Sequence, residues 1–162
     1  MTEIALLQVG DVGWRTTHLG RLLGHALRRF DERVLWLMSR DVLVPLALSN
    51  LAARDQVGAA HIHMTRHLAV GGSRLTDLAA SAGMSKQAMA DLVTQCEAWG
   101  LVTREVDPHD KRAKQVRFTA SGHLWLEAFR RAVAQAEDEF RQAVGSDVAT
   151  VVSLGLEAYA GS

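Results

Sequence analysis

The chain holds one cysteine, two prolines and few aromatic residues (6% of 162 positions), and its 18 basic and 18 acidic side chains cancel. Each shortage closes something off. A single thiol, Cys96, excludes an internal disulfide. No apolar run approaches the roughly 20 residues that a membrane-spanning helix requires. Met1-Thr2-Glu3-Ile4 lacks the basic start and apolar stretch of a signal peptide. The expected compartment is the cytoplasm, with no membrane partner. Zero net charge removes the basic excess that usually marks a nucleic-acid binder. There is no glycine-rich phosphate loop, no nucleophile elbow and no Cys/His pairing, so nothing points to an enzyme and no cofactor is implied.

What the chain has in quantity is apolar material, 48% of its residues, within 17.7 kDa. That supports one folded unit with a substantial core and argues against disorder. There is no internal repeat and no low-complexity tract.

The organising stretch is Arg74 to Gly122. Leu75-Thr76-Asp77-Leu78-Ala79-Ala80-Ser81-Ala82-Gly83-Met84 reads as a short helix ended by a glycine, which reaches φ > 0 at little cost. Ser85 is placed to cap a second helix. In that helix Met89, Leu92, Val93, Cys96 and Trp99 recur at 3-4-3-3 spacing and fall on one inner side. Lys86, Gln87, Ala90, Asp91, Thr94 and Gln95 are left facing out. Helix, tight turn and helix make a helix-turn-helix. Small and hydrogen-bonding residues at the exposed start of the second helix suit the reading of base edges, although an ordinary amphipathic helix shows the same periodicity.

Two short β-branched runs follow, Leu101–Val106 and Gln115–Thr119. Between them Asp107-Pro108-His109-Asp110-Lys111-Arg112-Ala113-Lys114 reads as a turn with a basic tip. Two strands around such a turn, directly after a helix-turn-helix, make a winged helix. Lys111, Arg112 and Lys114 then stand where phosphates or a minor groove would lie. A surface hairpin that carries charge only for solubility is the competing reading.

With these residues in view the sequence resembles the MarR-type winged-helix transcriptional regulators. The resemblance rests on Leu75-Thr76-Asp77-Leu78-Ala79, on Met84-Ser85-Lys86-Gln87-Ala88, and on the tract from Glu97 to Gly122. There Gly100-Leu101-Val102, Asp107-Pro108-His109-Asp110-Lys111-Arg112 and Phe118-Thr119-Ala120-Ser121-Gly122 follow the family's run, with Phe118 in place of the usual leucine. The resemblance covers about a third of the chain. It implies that Asp110 and Arg112 shape the wing and that Arg112 enters the minor groove. It also implies a homodimer on double-stranded DNA. Lys86, Gln87 and Ala88 would read bases, and Ser85 and Thr94 would touch phosphates. The family often has a basic residue where Asp91 stands.

Gly13 to Arg40 reads as one long helix. Leu19, Leu22, Leu23, Ala26, Leu27, Phe30, Val34, Leu37 and Met38 form its apolar stripe. Asp41 and Pro45 suggest a new start, residues 46–70 a weaker helical stretch broken near Gly58, and Gly71-Gly72-Ser73 a linker. Thr119 is placed to cap a long helix with Leu126, Phe129, Val133, Ala136, Phe140 and Val144 repeating along it. Gly145-Ser146-Asp147 interrupts it before a last apolar helix through Tyr159. These terminal helices are apolar on more than one face, as a dimer interface requires; a self-contained terminal bundle is the alternative.

Three sensor readings are open. Cys96 lies on the inward stripe, which favours a structural thiol over a redox switch. His63 and His67, at i and i+4, share a helix face and are the weak metal candidates, with no further ligand nearby in sequence. By resemblance, an effector such as an aromatic carboxylate or phenol would sit where the dimerisation helices meet the winged region. Trp14, Arg15 and His18 on the first helix, with His61, Met64 and His67 on the second, suit it, since arginine holds carboxylates and aromatic or Met side chains cover rings.

The expected fold is mainly α with a small β-hairpin wing: a winged helix-turn-helix (71–119) between N-terminal dimerisation and support helices (1–70) and C-terminal dimerisation helices (120–162). The expected function is a DNA-binding regulator, a homodimeric repressor of a pseudopalindrome released by a small ligand. Two others compete: a winged-helix protein-interaction module, favoured by zero net charge and Asp91, and a zinc-responsive regulator working through His63 and His67.

Overall fold

A computed structural model describes residues 13–44 and 57–161; Pro45 and the expected helical stretch up to residue 56 lie outside the described residues. The chain opens with α1 (Trp14–Thr17) and α2 (Leu19–Ser39). The single helix expected from Gly13 is therefore interrupted at His18. Its backbone is extended (φ −69, ψ 149), and its ring Nδ1 accepts the Arg21 amide at 3.2 Å, capping α2. The C-terminal half of α2 is covered: Val34 and Met38 are fully buried, while Leu19, Leu22, Leu27 and Trp36 on the same helix stay exposed. Asp41 acts as a turn residue, its Oδ1 accepting the Leu43 amide at 2.8 Å.

After α3 (Ala59–His67) comes β1 (Ser73–Arg74), then α4 (Leu75–Ser81) and α5 (Lys86–Ala98), β2 (Val102–Asp107) and β3 (Asp110–Phe118). The sheet is antiparallel in the order β1-β3-β2, with Ser73 opposite Val116 and Val102 opposite Phe118. The stretch expected as a linker thus supplies a third strand. Gly72 turns the chain into it at φ +98, and a Cβ there would meet Arg117 Cγ at 2.8 Å, so only glycine fits.

The wing also departs from the expected turn. Pro108 and His109 alone separate β2 from β3, so the hairpin closes tightly. Register slips between Val106, opposite Lys114, and Asp107, opposite Asp110. Lys111, Arg112 and Ala113 occupy that slip: the basic tip is an irregularity in a strand, not a loop.

Thr119 caps α6 (Ala120–Val144), its hydroxyl accepting the Gly122 amide at 3.0 Å, and α7 (Ser146–Ala160) follows the break at Gly145. The buried side of α6 is Gly122, Trp125, Ala128, Phe129, Ala132 and Ala136, rotated from the stripe the spacing suggested; Phe140 and Val144 are exposed. One buried cluster runs from Val34 and Met38 through Ile62, Met64, Leu78, Met89, Val93 and Val116 to Trp125. It joins the three sequence regions around a shared core.

Ion pairs tie the long helices to the rest. Arg33 grips Glu139 of α6 through two hydrogen bonds of 2.7 Å, and Arg131 reaches Asp41 at 2.7 and 2.9 Å. Buried Asp31 of α2 pairs with Arg66 of α3, whose guanidinium also lies over Phe129 at 5.9 Å. Breaking a buried pair strands a charge, so this contact fixes α2 against α3. α7 is different. Of its residues only Ala149 is buried, and Val151, Leu154 and Tyr159 are more than half exposed.

Candidate nucleic-acid interface

The turn between α4 and α5 is built as the residues suggested. The Ala82 amide bonds to Leu78, Gly83 takes φ +63, and the Met84 amide returns to the Ala79 carbonyl at 2.9 Å. That closes α4 with a left-handed glycine. Ser85 Oγ then accepts the Ala88 amide at 3.1 Å and starts α5. Met89, Leu92, Val93 and Cys96 are buried and Trp99 partly so. Lys86, Gln87, Asp91, Thr94 and Gln95 are exposed, with Ala88 and Ala90 half-buried between them. The outward face is fixed in place by the inward one.

Four side chains on that face are already engaged: Gln87 with Asp91, Thr94, and Gln95, whose Oε1 accepts from His61. Gln87 Nε2 donates to Asp91 Oδ1 at 2.9 Å. Thr94 donates its only hydroxyl proton to the Ala90 carbonyl at 2.8 Å and accepts from Arg104 at 3.0 Å. Thr94 thus has no free proton for a phosphate. Arg104, on β2, also pairs with Glu97 and pins the wing strand to α5. Arg104 carries no signal in the sequence, because a charged residue at a strand position reads as solvated until the helix beside it is known.

The wing is organised around Asp107, a buried carboxylate. Its Oδ1 accepts the His109 amide and its Oδ2 accepts Arg74 Nε, both at 2.8 Å. These two partners, together with the Gln115 amide, hold the Asp107 carboxyl below the ordinary carboxylate range against the opposing effect of burial. Arg74 in turn is raised by its bond to Asp107 and also approaches Asp110 at 3.5 Å. Asp110 Oδ1 accepts the Arg112 amide at 3.0 Å. The acids therefore shape the tip, and Lys111, Arg112 and Lys114 are left exposed on it with no carboxylate pair among the described residues. Arg74 and Asp107, 33 residues apart in sequence, form a clamp that the motif's Asp-Pro start hinted at on one side only.

The effector candidates do not converge. Trp14, Arg15 and His18 line an open hollow with Thr16 and Arg21, and His61, Met64 and His67 are not among its walls. Met64 is core. His61 has both ring nitrogens spent: Nδ1 accepts the Gly58 amide at 3.0 Å, so Nε2 carries the proton and donates to Gln95 Oε1 at 2.8 Å. Its ring lies 4.8 Å from that of Trp99. His61 caps α3 and braces α5. His63 and His67 do meet, ring centroids 4.7 Å apart, but His63 Nε2 bonds the Ala82 carbonyl at 2.7 Å. Burial first, then the neighbouring His63 ring and Arg66, lower the His67 pKa. Among the described residues no group of three or more His, Cys, Asp or Glu converges as a metal site.

The sequence model of the MarR family matches residues 63–113, from α3 through the wing tip. Solved structures are similar over most of the chain. The transcriptional repressor CouR bound to a 23-mer DNA duplex aligns with a TM-score of 0.67 at 22% identity, over 91% of this chain and 96% of that one. Apo wild-type MarR from E. coli gives 0.61 at 22% identity, over 86% and 96%. CouR from Rhodococcus jostii RHA1 bound to p-coumaroyl-CoA gives 0.63 at 18% identity, over 93% and 92%. No described helix is long and apolar enough to cross a membrane.

Proposed function

We propose that this chain, which carries the MarR-family pattern over residues 63–113 and the fold of the MarR-type winged-helix proteins, is a homodimeric, cytoplasmic transcriptional regulator that binds double-stranded DNA. The observation that carries the reading is the pairing of an exposed, serine-capped reading helix with a basic wing tip, on a body similar to a repressor seen on DNA. Lys86 and Gln87 meet base edges, with Ala88 alongside. Ser85 lies at the phosphates, and Lys111, Arg112 and Lys114 follow the backbone or minor groove. The near-neutral charge makes each protomer a weak binder, so two are needed to double the phosphate contacts.

The exposed apolar residues of α7 and of the N-terminal half of α2 form the dimer interface. A two-fold then sets the reading helices about 34–36 Å apart, one DNA turn, on a pseudopalindrome. The protein acts as a repressor, and a small aromatic carboxylate or phenol releases it by favouring a spacing that no longer fits. The hollow of Trp14, Arg15 and His18 supplies a ring face and a guanidinium for that ligand.

A salt-series titration against genomic fragments, with dimer state checked by sedimentation, tests the reading. Selective binding that weakens steeply with salt is expected, and Arg112→Ala, which removes one cation from each protomer of the dimer, should lower affinity and reduce the salt slope by about 2. No selective binding by a confirmed dimer at low salt would overturn it in favour of a protein-interaction module.

A further inference from the structure

Asp91 stands on the outward face of α5, one turn after Gln87, exposed and without an ion-pair partner among the described residues. A free carboxylate on a surface that meets DNA is repelled by every phosphate. It becomes favourable only against a donor, and in the major groove the donors are the amino groups of cytosine and adenine. Adenine sets its amino group beside the N7 acceptor, which repels a carboxylate. Cytosine has no acceptor on its own edge, so its amino group is the better partner.

The hydrogen bond between the two side chains sharpens this. Asp91 Oδ1 is occupied by Gln87 Nε2, which leaves Oδ2 free to accept. Gln87 keeps one amide N–H and its Oε1, the pair needed for a two-point contact with adenine. The carboxylate also holds the Gln87 amide in one of its two flips, with its nitrogen toward Asp91. We infer that Asp91 is a specificity-determining residue that accepts from a cytosine amino group in each half-site and orients Gln87 toward the neighbouring base pair. The inference rests on the proposed DNA-binding function, and it turns the acid from an obstacle to binding into a base reader.

Selection from a random duplex library, followed by sequencing, would test it on the full-length protein and on Asp91→Ala and Asp91→Asn. The native protein should enrich cytosine at one position per half-site. Asp91→Ala should lose that preference by about fivefold or more, the low end of what one side chain contributes to discrimination. Asp91→Asn, which can donate as well as accept, should newly admit guanine or thymine there. Both substitutions are at an exposed position, and circular dichroism would confirm the fold. If both variants keep the native base preferences and simply bind all sequences more tightly, Asp91 is only a repulsive charge and the inference fails while the DNA-binding reading stands. If the native protein selects no sequence at all, both fail.

Discussion

Gly122 offers the sharpest test of how the winged region is joined to α6. It lies in the first turn of that helix, against the last residue before β2. A Cβ built on it would stand 2.0 Å from the Leu101 carbonyl oxygen and 3.1 Å from both Leu101 C and Phe118 Cδ1. That oxygen cannot retreat freely, because it accepts the Thr119 amide at 3.0 Å, while the Thr119 hydroxyl holds the preceding Gly100 carbonyl at 2.5 Å. Alanine would gain about 1 kcal/mol of helix propensity over glycine. Against this stand about 1–3 kcal/mol for forcing a methyl into a packed site and about 1 kcal/mol for the strained Thr119 bond. With the clash on backbone atoms the upper end applies, and the net loss for Gly122→Ala should be about 3 kcal/mol. That corresponds to a melting point lower by roughly 6–12 °C. Thermal and urea unfolding followed by circular dichroism, at one fixed protomer concentration, would measure it. A variant within about 0.5 kcal/mol of the parent, the usual range of an inconsequential surface change, would refute the reasoning and show that the helix start can slide.

Burial pushes the Cys96 thiol up to about 12, so native protein at pH 8 should resist thiol reagents and react once per chain only after denaturation; rapid native labelling would contradict a structural role. Glu139 is held down at about 2 by its hydrogen bonds from Arg33 and then Gln135. Its folded carboxyl is more acidic than the ordinary 4.5, so the unfolded chain takes up its proton first as pH falls. The pair's stabilisation is complete above pH 4.5 and gone by about 2. Urea midpoints at pH 5 and pH 3 should therefore show native protein losing more on acidification than Glu139→Gln; equal losses would remove the pair from the stability balance. Asp107→Asn should loosen the wing, seen as faster amide exchange at His109 and Arg112 with protection of the α6 core unchanged.

Much of this was legible in the order of residues, for local reasons. Gly83 before Ser85, and Thr119 before an apolar periodic run, mark helix ends through the bonds of residues two to four positions away. Those bonds form in the structure as the spacing predicts. The inward side of α5 was equally readable, because a 3.6-residue period with one apolar stripe has one orientation. The hairpin was readable as two strands. Its turn was not: Lys111 and Arg112 read as loop residues, but pairing of Asp110 and Lys114 to β2 on either side draws them into β3 at a register slip.

The effector site shows the same division. His61 and His67 suit the same ligand chemistry as Trp14 and His18, yet the fold spends His61 on Gly58 and Gln95. A ring nitrogen's partner is set by what packs beside it, and no spacing rule encodes that. Likewise the stripe of α2 is continuous in sequence, while only its C-terminal half meets α6 and the core. Sequence by itself determined the helix-turn-helix, the caps at Ser85 and Thr119, the two paired β runs and the outward face of α5, since each depends on neighbours within a few positions. Tertiary structure alone decided that Arg74 clamps Asp107, that Arg104 ties the wing to α5, and that Asp31 meets Arg66, because these partners become neighbours only when distant segments pack.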